Sequence, residues 1–218
     1  MRAFNFKPYT YRLLTWTLLA ALTPALIGCF GAAAVGFGTS VMFAVDRRPA
    51  ETLFTDEGIE VRSSNRLSEK FGDRAHFNVT SFNRSVLLTG EVPDAAAKAE
   101  AEKLVGGVPN VKAVTNELKI SGASSLAARS NDAYITSKVK ARFVDTSQFS
   151  ANHIKVVTEA GTVYLLGLVT KREADAAVEV ARNTNGAMLV VRLFEFLDEE
   201  EAKRIDDLAA AAAAKKKP

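Results

Sequence analysis

The sequence predicts an α+β fold: two tandem copies of one αββαβ unit, each a three-stranded mixed sheet packed on two helices. Three observations carry this. The chain repeats itself at a spacing of 76 to 77 residues. Each copy switches hydrophobic period from helical to alternating and back. Each copy also places a turn between two alternating runs and an alanine-rich helix before its last strand.

The repeat is read first, because a missed repeat misassigns a whole fold. Asp56, Ile59 and Leu67 match Asp132, Ile135 and Phe143 at a shift of 76. A one-residue insertion then changes the shift to 77. His76, Phe77 and Val79 match His153, Ile154 and Val156. Val86, Leu88, Gly90 and Val92 match Val163, Leu165, Gly167 and Val169, and Ala97 and Val114 match Ala174 and Val191.

The first helix of each copy is expected over about Thr55–Glu69 and Asn131–Asp145. Ile135, Val139 and Phe143 recur every four residues and define its buried face. Two alternating strands follow, joined at Asn83-Arg84 and at Glu159-Ala160-Gly161, the second a strong hairpin signal. The alanine-rich helices, Asp94–Val105 and Lys171–Asn183, suit close approach to a sheet. The last strands, Val111–Ile120 and Ala187–Phe196, come after a helical crossover and so run parallel to the strand before it. Gly90 and Gly167 lie inside strands, where glycine is costly unless another element packs on the backbone; the expectation is a structural role, against a helix of the same unit. Ser121–Ser130 reads as the loop between units. Each unit is small for independent stability, so the two are expected to pack together.

The N-terminus has a different character. Arg2, Lys7 and Arg12 precede a short apolar run, Leu13–Ile27, which falls short of the roughly 20 residues that span a bilayer. Leu26-Ile27-Gly28-Cys29 closes that run with the sole cysteine. This reads as a signal peptide over residues 1–28, cleaved before an acylated (palmitate-bearing) Cys29, with a lipidated N-terminus and linker over 29–54. Phe30 stands where an Asp would favour inner-membrane retention, so the expected destination is the outer membrane, facing the periplasm. Asp46-Arg47-Arg48-Pro49 reads as a polar turn, either solvated or touching headgroups, with solvation the nearer expectation. The two units occupy 55–121 and 130–197. Residues 198–218 form a charged, alanine-rich tail, expected as an exposed helix that frays into a basic tip. Its lysines suit anionic lipid or a solvated tail equally.

Charge and composition exclude several functions. Three of the 28 basic residues precede Cys29 and none of the 25 acidic ones does, so the remainder balances at 25 each. A diffuse basic field for nucleic acid is therefore absent. One cysteine allows no internal disulfide and no cysteine-based metal site. His76 and His153 are repeat-related, lack metal-ligand spacing and fit capping or packing. No nucleophile elbow, P-loop or dinucleotide-binding glycine pattern occurs. No enzyme, catalytic residue, metal or cofactor is expected.

The two first helices share a core but differ in surface. The second carries Tyr134, Lys138 and Arg142 on one stripe, with Lys140 nearby, where the first has Gly58 among Asp56, Glu57 and Glu60. The stripe fits a solvated basic face or an anionic lipid surface, to which each cation contributes about 1 kcal/mol.

The doubled unit, the lipobox and the Asp-Arg-Arg turn together resemble the dual BON-domain lipoproteins. The motifs are Asn78-Val79-Thr80 with Val86-Leu87-Leu88-Thr89-Gly90, the segment Ser130 to Val139, and Gly167 to Ala174. The resemblance covers Cys29 to Phe196 and leaves out the tail. It implies a non-enzymatic, lipid-anchored protein at the inner leaflet of the outer membrane that supports envelope integrity and gathers at the division site. It also implies binding of anionic phospholipid (phosphatidylglycerol, cardiolipin) through the first helix of the second domain, here Tyr134, Lys138, Arg142 and Val144. The family pattern has a tryptophan where this chain has Tyr134, which is also an interfacial residue. The alternative is a protein-interaction module serving outer-membrane protein assembly, cell-wall remodelling or division proteins.

Overall fold

The computed structural model describes residues Asp46 to Ala214, with side chains to Ala212. The signal peptide, Cys29 and the Lys215–Lys217 run lie outside the described residues.

The first unit comprises α1 (Ala50–Phe71), a short 3-10 turn, β1 (His76–Phe82), β2 (Ser85–Val92), α2 (Ala95–Gly106), β3 (Ala113–Asn116) and β4 (Lys119–Ile120). The second comprises α3 (Leu126–Asp145), a 3-10 turn, β5 (Ile154–Glu159), β6 (Thr162–Val169), α4 (Lys171–Arg182) and β7 (Leu189–Phe196). A final helix, α5, spans Glu199–Ala214. Helix α1 starts five residues before the expected Thr55. Helix α3 likewise starts at Leu126, inside the expected loop, where the Ser125 side chain accepts a hydrogen bond from the Ala128 N–H and caps it.

In each unit the hairpin is antiparallel and the crossover strand is parallel to the hairpin's second strand. Strand β7 pairs along the whole of β6, whereas the corresponding strand of the first unit is broken into β3 and β4. The break leaves Leu118 in the first unit's core and is held locally by the Asn116 side chain, which accepts from the Leu118 N–H.

Each sheet buries one face under its two helices. Ile59, Leu67, Val86, Leu88, Ala101 and Val105 form the first core, and Ile135, Val139, Phe143, Val163, Leu165 and Ala177 the second. The opposite faces pack on each other through Phe82, Leu87, Tyr164 and Leu166. Every fully buried Leu, Phe or Val contributes about 1.5–3 kcal/mol relative to exposure, so this shared layer stabilises two units that are individually small. Its rim is polar: Asn78 Nδ2 donates to Glu159 Oε2 at 2.6 Å, Asn83 Nδ2 donates to Glu195 Oε2 at 2.6 Å, and Lys155 Nζ pairs with Glu60 Oε1 at 2.8 Å. Tyr164 Oη stands 3.5 Å from Glu117 Oε2 in this layer, and burial pushes its pKa up to about 12, with Glu117 adding to the rise.

The neighbour of the strand glycines is not a helix. A Cβ on Gly90 would fall well inside contact distance of the His76 carbonyl oxygen, and one on Gly167 would stand 2.6 Å from the His153 carbonyl oxygen. Both oxygens belong to the backbone at the start of the paired strand. Gly90 additionally has φ +121°, which side-chain-bearing residues rarely adopt.

Two further expectations fail for one reason. The Asp46–Pro49 segment is not a solvated turn, and α5 is not a simply exposed helix. Arg47 is only 7% exposed, and Ala202 of α5 only 3%. The arginine bridges the second unit and α5, so each covers the other.

Candidate functional site

Two polar constellations and one surface stripe are candidates. The first constellation is a repeated carboxylate clamp on the hairpin turns. The Asp56 carboxylate accepts the N–H groups of Asn83 (2.8 Å) and Arg84 (2.7 Å). Asp132 accepts those of Ala160 (2.8 Å) and Gly161 (2.9 Å). Both turns have positive φ at both central residues, the geometry that matches strand twist but leaves their amides pointing away from the ladder. A helix-borne carboxylate supplies the missing acceptors. The repeat alignment contained both aspartates without giving them a role. The signal was available: an acidic residue three positions before a core isoleucine, in both copies.

The second constellation is built on the Arg-Arg pair. Arg47 Nη1 donates to Glu173 Oε2 at 2.7 Å and to the Leu168 carbonyl at 3.1 Å, Nη2 to Glu173 Oε1 at 3.0 Å, and Nε to Asp206 Oδ1 at 2.9 Å. Glu173 is also the third residue of α4 and closes a capping box with Thr170. His153 lies beside this network, with Nε2 3.7 Å from Asp206 Oδ1 and its buried Nδ1 without a hydrogen-bond partner. Burial, and then the Arg47 charge, lowers the His153 pKa below its ordinary value despite the nearby carboxylates. Burial alone would raise Glu173 and Asp206, but hydrogen bonds from Arg47 hold both below the usual carboxylate range. Arg48 faces the first unit: it pairs with Asp46 (2.7 Å) and Asp56 (2.8 Å) and stacks 4.0 Å over the Phe82 ring. Adjacent arginines thus hold different domains. His76, the counterpart of His153, stands 3.1 Å from Glu91 at the edge of the first sheet.

The stripe on α3 is partly as expected from helical spacing. Tyr134 is 62% exposed and Val144 73%, while Ile135, Val139 and Phe143 face inward. Lys138 Nζ lies 4.5 Å over the Tyr134 ring. The cations are not free, however. Lys138 donates to the Asn185 carbonyl, and Arg142 to the Asn183 carbonyl. Those carbonyls follow the end of α4, where a helix leaves acceptors unsatisfied. Sequence spacing put the three residues together but could not show this engagement. Among the described residues, no group of three or more His, Cys, Asp or Glu side chains is arranged to hold a metal, and no helix is long and apolar enough to cross a membrane.

A clamped hairpin under two helices, written twice and packed sheet to sheet, defines a tandem-domain protein. The BON domain model matches residues 55–122 and 131–198, so the chain belongs to the BON-domain family. Its likeness extends over nearly a whole relative: it is 34% identical to the outer membrane lipoprotein DolP of Haemophilus influenzae over 83% of this chain and 95% of that one. It is also 34% identical to the 21 kDa hemolysin of Actinobacillus pleuropneumoniae (70% of this chain, 80% of that one). It is 30% identical to the osmotically-inducible protein Y of Escherichia coli K12, over 52% of this chain and 58% of that one.

Proposed function

We propose that this protein is a non-enzymatic lipoprotein of the outer membrane, anchored at Cys29 and facing the periplasm, where it supports envelope integrity and acts at the division site. In this reading its second domain contacts anionic phospholipid through Tyr134, Lys138, Arg142 and Val144. The DolP likeness supports the location, since it spans almost the whole of that relative. The observation that carries the lipid contact is the exposed Tyr134 ring with Lys138 above it, with Val144 also exposed further along, on a helix whose repeat counterpart has Gly58 at the tyrosine position. An aromatic ring with a wet hydroxyl beside a cation suits the headgroup boundary. Lys138 and Arg142 each carry donors beyond the one given to a carbonyl, and these remain for phosphate.

Vesicle flotation tests the lipid contact. Protein purified without acyl chains should float with phosphatidylglycerol vesicles and not with neutral ones. Tyr134→Glu combined with Lys138→Glu should abolish flotation, and retained flotation removes this surface from consideration. Mass spectrometry of the mature N-terminus, with membrane fractionation, tests the anchor: an unmodified Cys29 ends the localisation argument.

A second reading, a protein-interaction module, is favoured by one observation. The sheet faces are occupied by each other, but a polar cleft between the domains stays open.

A further inference from the structure

That cleft lies between β1 of the first domain and α3 and β5 of the second. Its volume is about 320 Å³, at the small end of ligand sites. Asp132, Glu159, Thr136 and Thr158 line it from the second domain.

The repeat supplies a reference for what belongs there. In the first copy, Asp56 accepts four hydrogen bonds: two from the turn amides, one from Ser81 Oγ (2.7 Å) and one from the Arg48 guanidinium (2.8 Å). In the second copy, Asp132 accepts only the two turn amides among the described residues. The counterpart of Ser81 is Thr158, which is engaged with Thr136 at 2.8 Å. Among the described residues no arginine takes the place of Arg48. A carboxylate has room for about four acceptor interactions, so two positions on Asp132 stay open toward the cleft.

The second carboxylate strengthens the case. In the first copy, Arg48 lies over Phe82 and pairs with Asp46 as well as Asp56. The repeat counterpart of Phe82 is Glu159. It is 5% exposed and accepts from Asn78 Nδ2 (2.6 Å) and Thr89 Oγ1 (3.3 Å), both neutral donors. So where the first copy sets a guanidinium against Asp56 and over Phe82, the second has carboxylates at both positions, Asp132 and Glu159, with no ion pair to either among the described residues. Arg129 also lines the cleft but makes no ion pair with either carboxylate, its Nε donating to Ser124 Oγ at 2.9 Å; His76 is held by Glu91 at 3.1 Å.

We propose that this cleft binds an arginine side chain of a partner polypeptide, its guanidinium bridging Asp132 and Glu159 as Arg48 bridges Asp46 and Asp56. A planar guanidinium with several donors suits two carboxylates lining one cleft better than a point-charge ammonium does. Two domains contribute to the walls, so binding reads their packing. The site is independent of the phospholipid surface on α3 and stands if that reading fails.

The full-length chain in detergent micelles, labelled with nitrogen-15, is titrated with N-acetyl-arginine amide while the Ala160 and Gly161 amide resonances are followed. Both should shift and saturate. The uncharged N-acetyl-citrulline amide should leave them unmoved, and N-acetyl-lysine amide should bind more weakly. Glu159→Gln keeps an acceptor for Asn78 and Thr89 and should weaken binding about tenfold. An unfolded Glu159→Gln is recognised by its collapsed spectrum. The Thr158→Arg variant then serves in its place, filling the cleft from within and abolishing the titration. Equal shifts with citrulline, or no shift with arginine, overturn the proposal. So does a short arginine-containing peptide that binds no better than the amide, since the site would then serve a small cation rather than a polypeptide.

Discussion

The two domains share one backbone plan and differ in what completes it. The first carries its own guanidinium on the clamp aspartate, a broken edge strand and a serine in its core. The second has an open clamp, an unbroken edge strand and valine in place of that serine. A common fold therefore constrains the hairpin, its clamp and the helix-facing core. It leaves the clamp's outer acceptors, the last strand and the α3 surface to diverge. The lipid-facing stripe lies on the second domain, and the cleft opens where that domain's clamp meets β1 of the first.

The comparison can be broken hardest at the strand glycines. Gly90→Ala should cost about 4 kcal/mol or more, because it combines a backbone collision with an unfavourable φ, whereas Gly167→Ala should cost about 2 kcal/mol. Urea denaturation of the two variants measures the difference, and equal losses would show that the first copy is no more tightly closed than the second. Next come the arginines. Arg47→Ala strands Glu173 in a buried position and should cost about 3 kcal/mol. Arg48→Ala leaves Asp56 with three other donors and should cost about 1–2 kcal/mol by the same assay. A reversed order would mean that Arg48, not Arg47, anchors the segment.

Smaller effects sharpen the contrast. Ser63 is fully buried and its hydroxyl has no partner, while its counterpart, Val139, is fully buried and apolar. Ser63→Val should therefore raise stability by about 1 kcal/mol, and Val139→Ser should lower it by about 2 kcal/mol. Thermal melts of the pair would sink the argument if both variants lost stability.

The smallest expected effect is on pH dependence. Below the ordinary histidine value of 6.5, the unfolded chain takes up a proton that folded His153 resists, so stability falls as pH drops from there through the lowered folded pKa. Glu173 and Asp206 act in the same direction at lower pH: their contribution is present above the ordinary values of 4.5 and 3.8 and is lost as pH falls through their lowered folded values. His153→Gln should flatten the loss between pH 7 and pH 5, measured as the change in urea midpoint. An unchanged slope would exclude His153 as its source.

Much of this architecture was legible because it is written twice. Matching apolar positions placed both cores, and alternation with turn residues placed the hairpins. What escaped depends on partners far apart in sequence. Arg47 sits 126 residues from Glu173 and 159 from Asp206, so local reading saw a charged turn and an acidic helix where the fold has one buried ion network. Alanine-rich α2 points to a helix as the neighbour of Gly90; the register of β1 against β2 decides otherwise. On α3, spacing aligns Tyr134, Lys138 and Arg142, but the carbonyls that engage Lys138 and Arg142 come from the loop after α4, where nothing in the sequence marks an acceptor.

The Arg47 network also bears on the order of folding. Its last member, Asp206, belongs to the final helix, so a chain emerging N-terminus first cannot complete the network until both domains and α5 have emerged. Closing so long a loop is entropically slow and comes after the local contacts of each domain. A chain truncated before α5 would hold Arg47 by Glu173 and the Leu168 carbonyl alone and would uncover Ala202's neighbours. Emergence of α5 is thus registered at Arg47, and a copy lacking that helix would be the more open one to a protease.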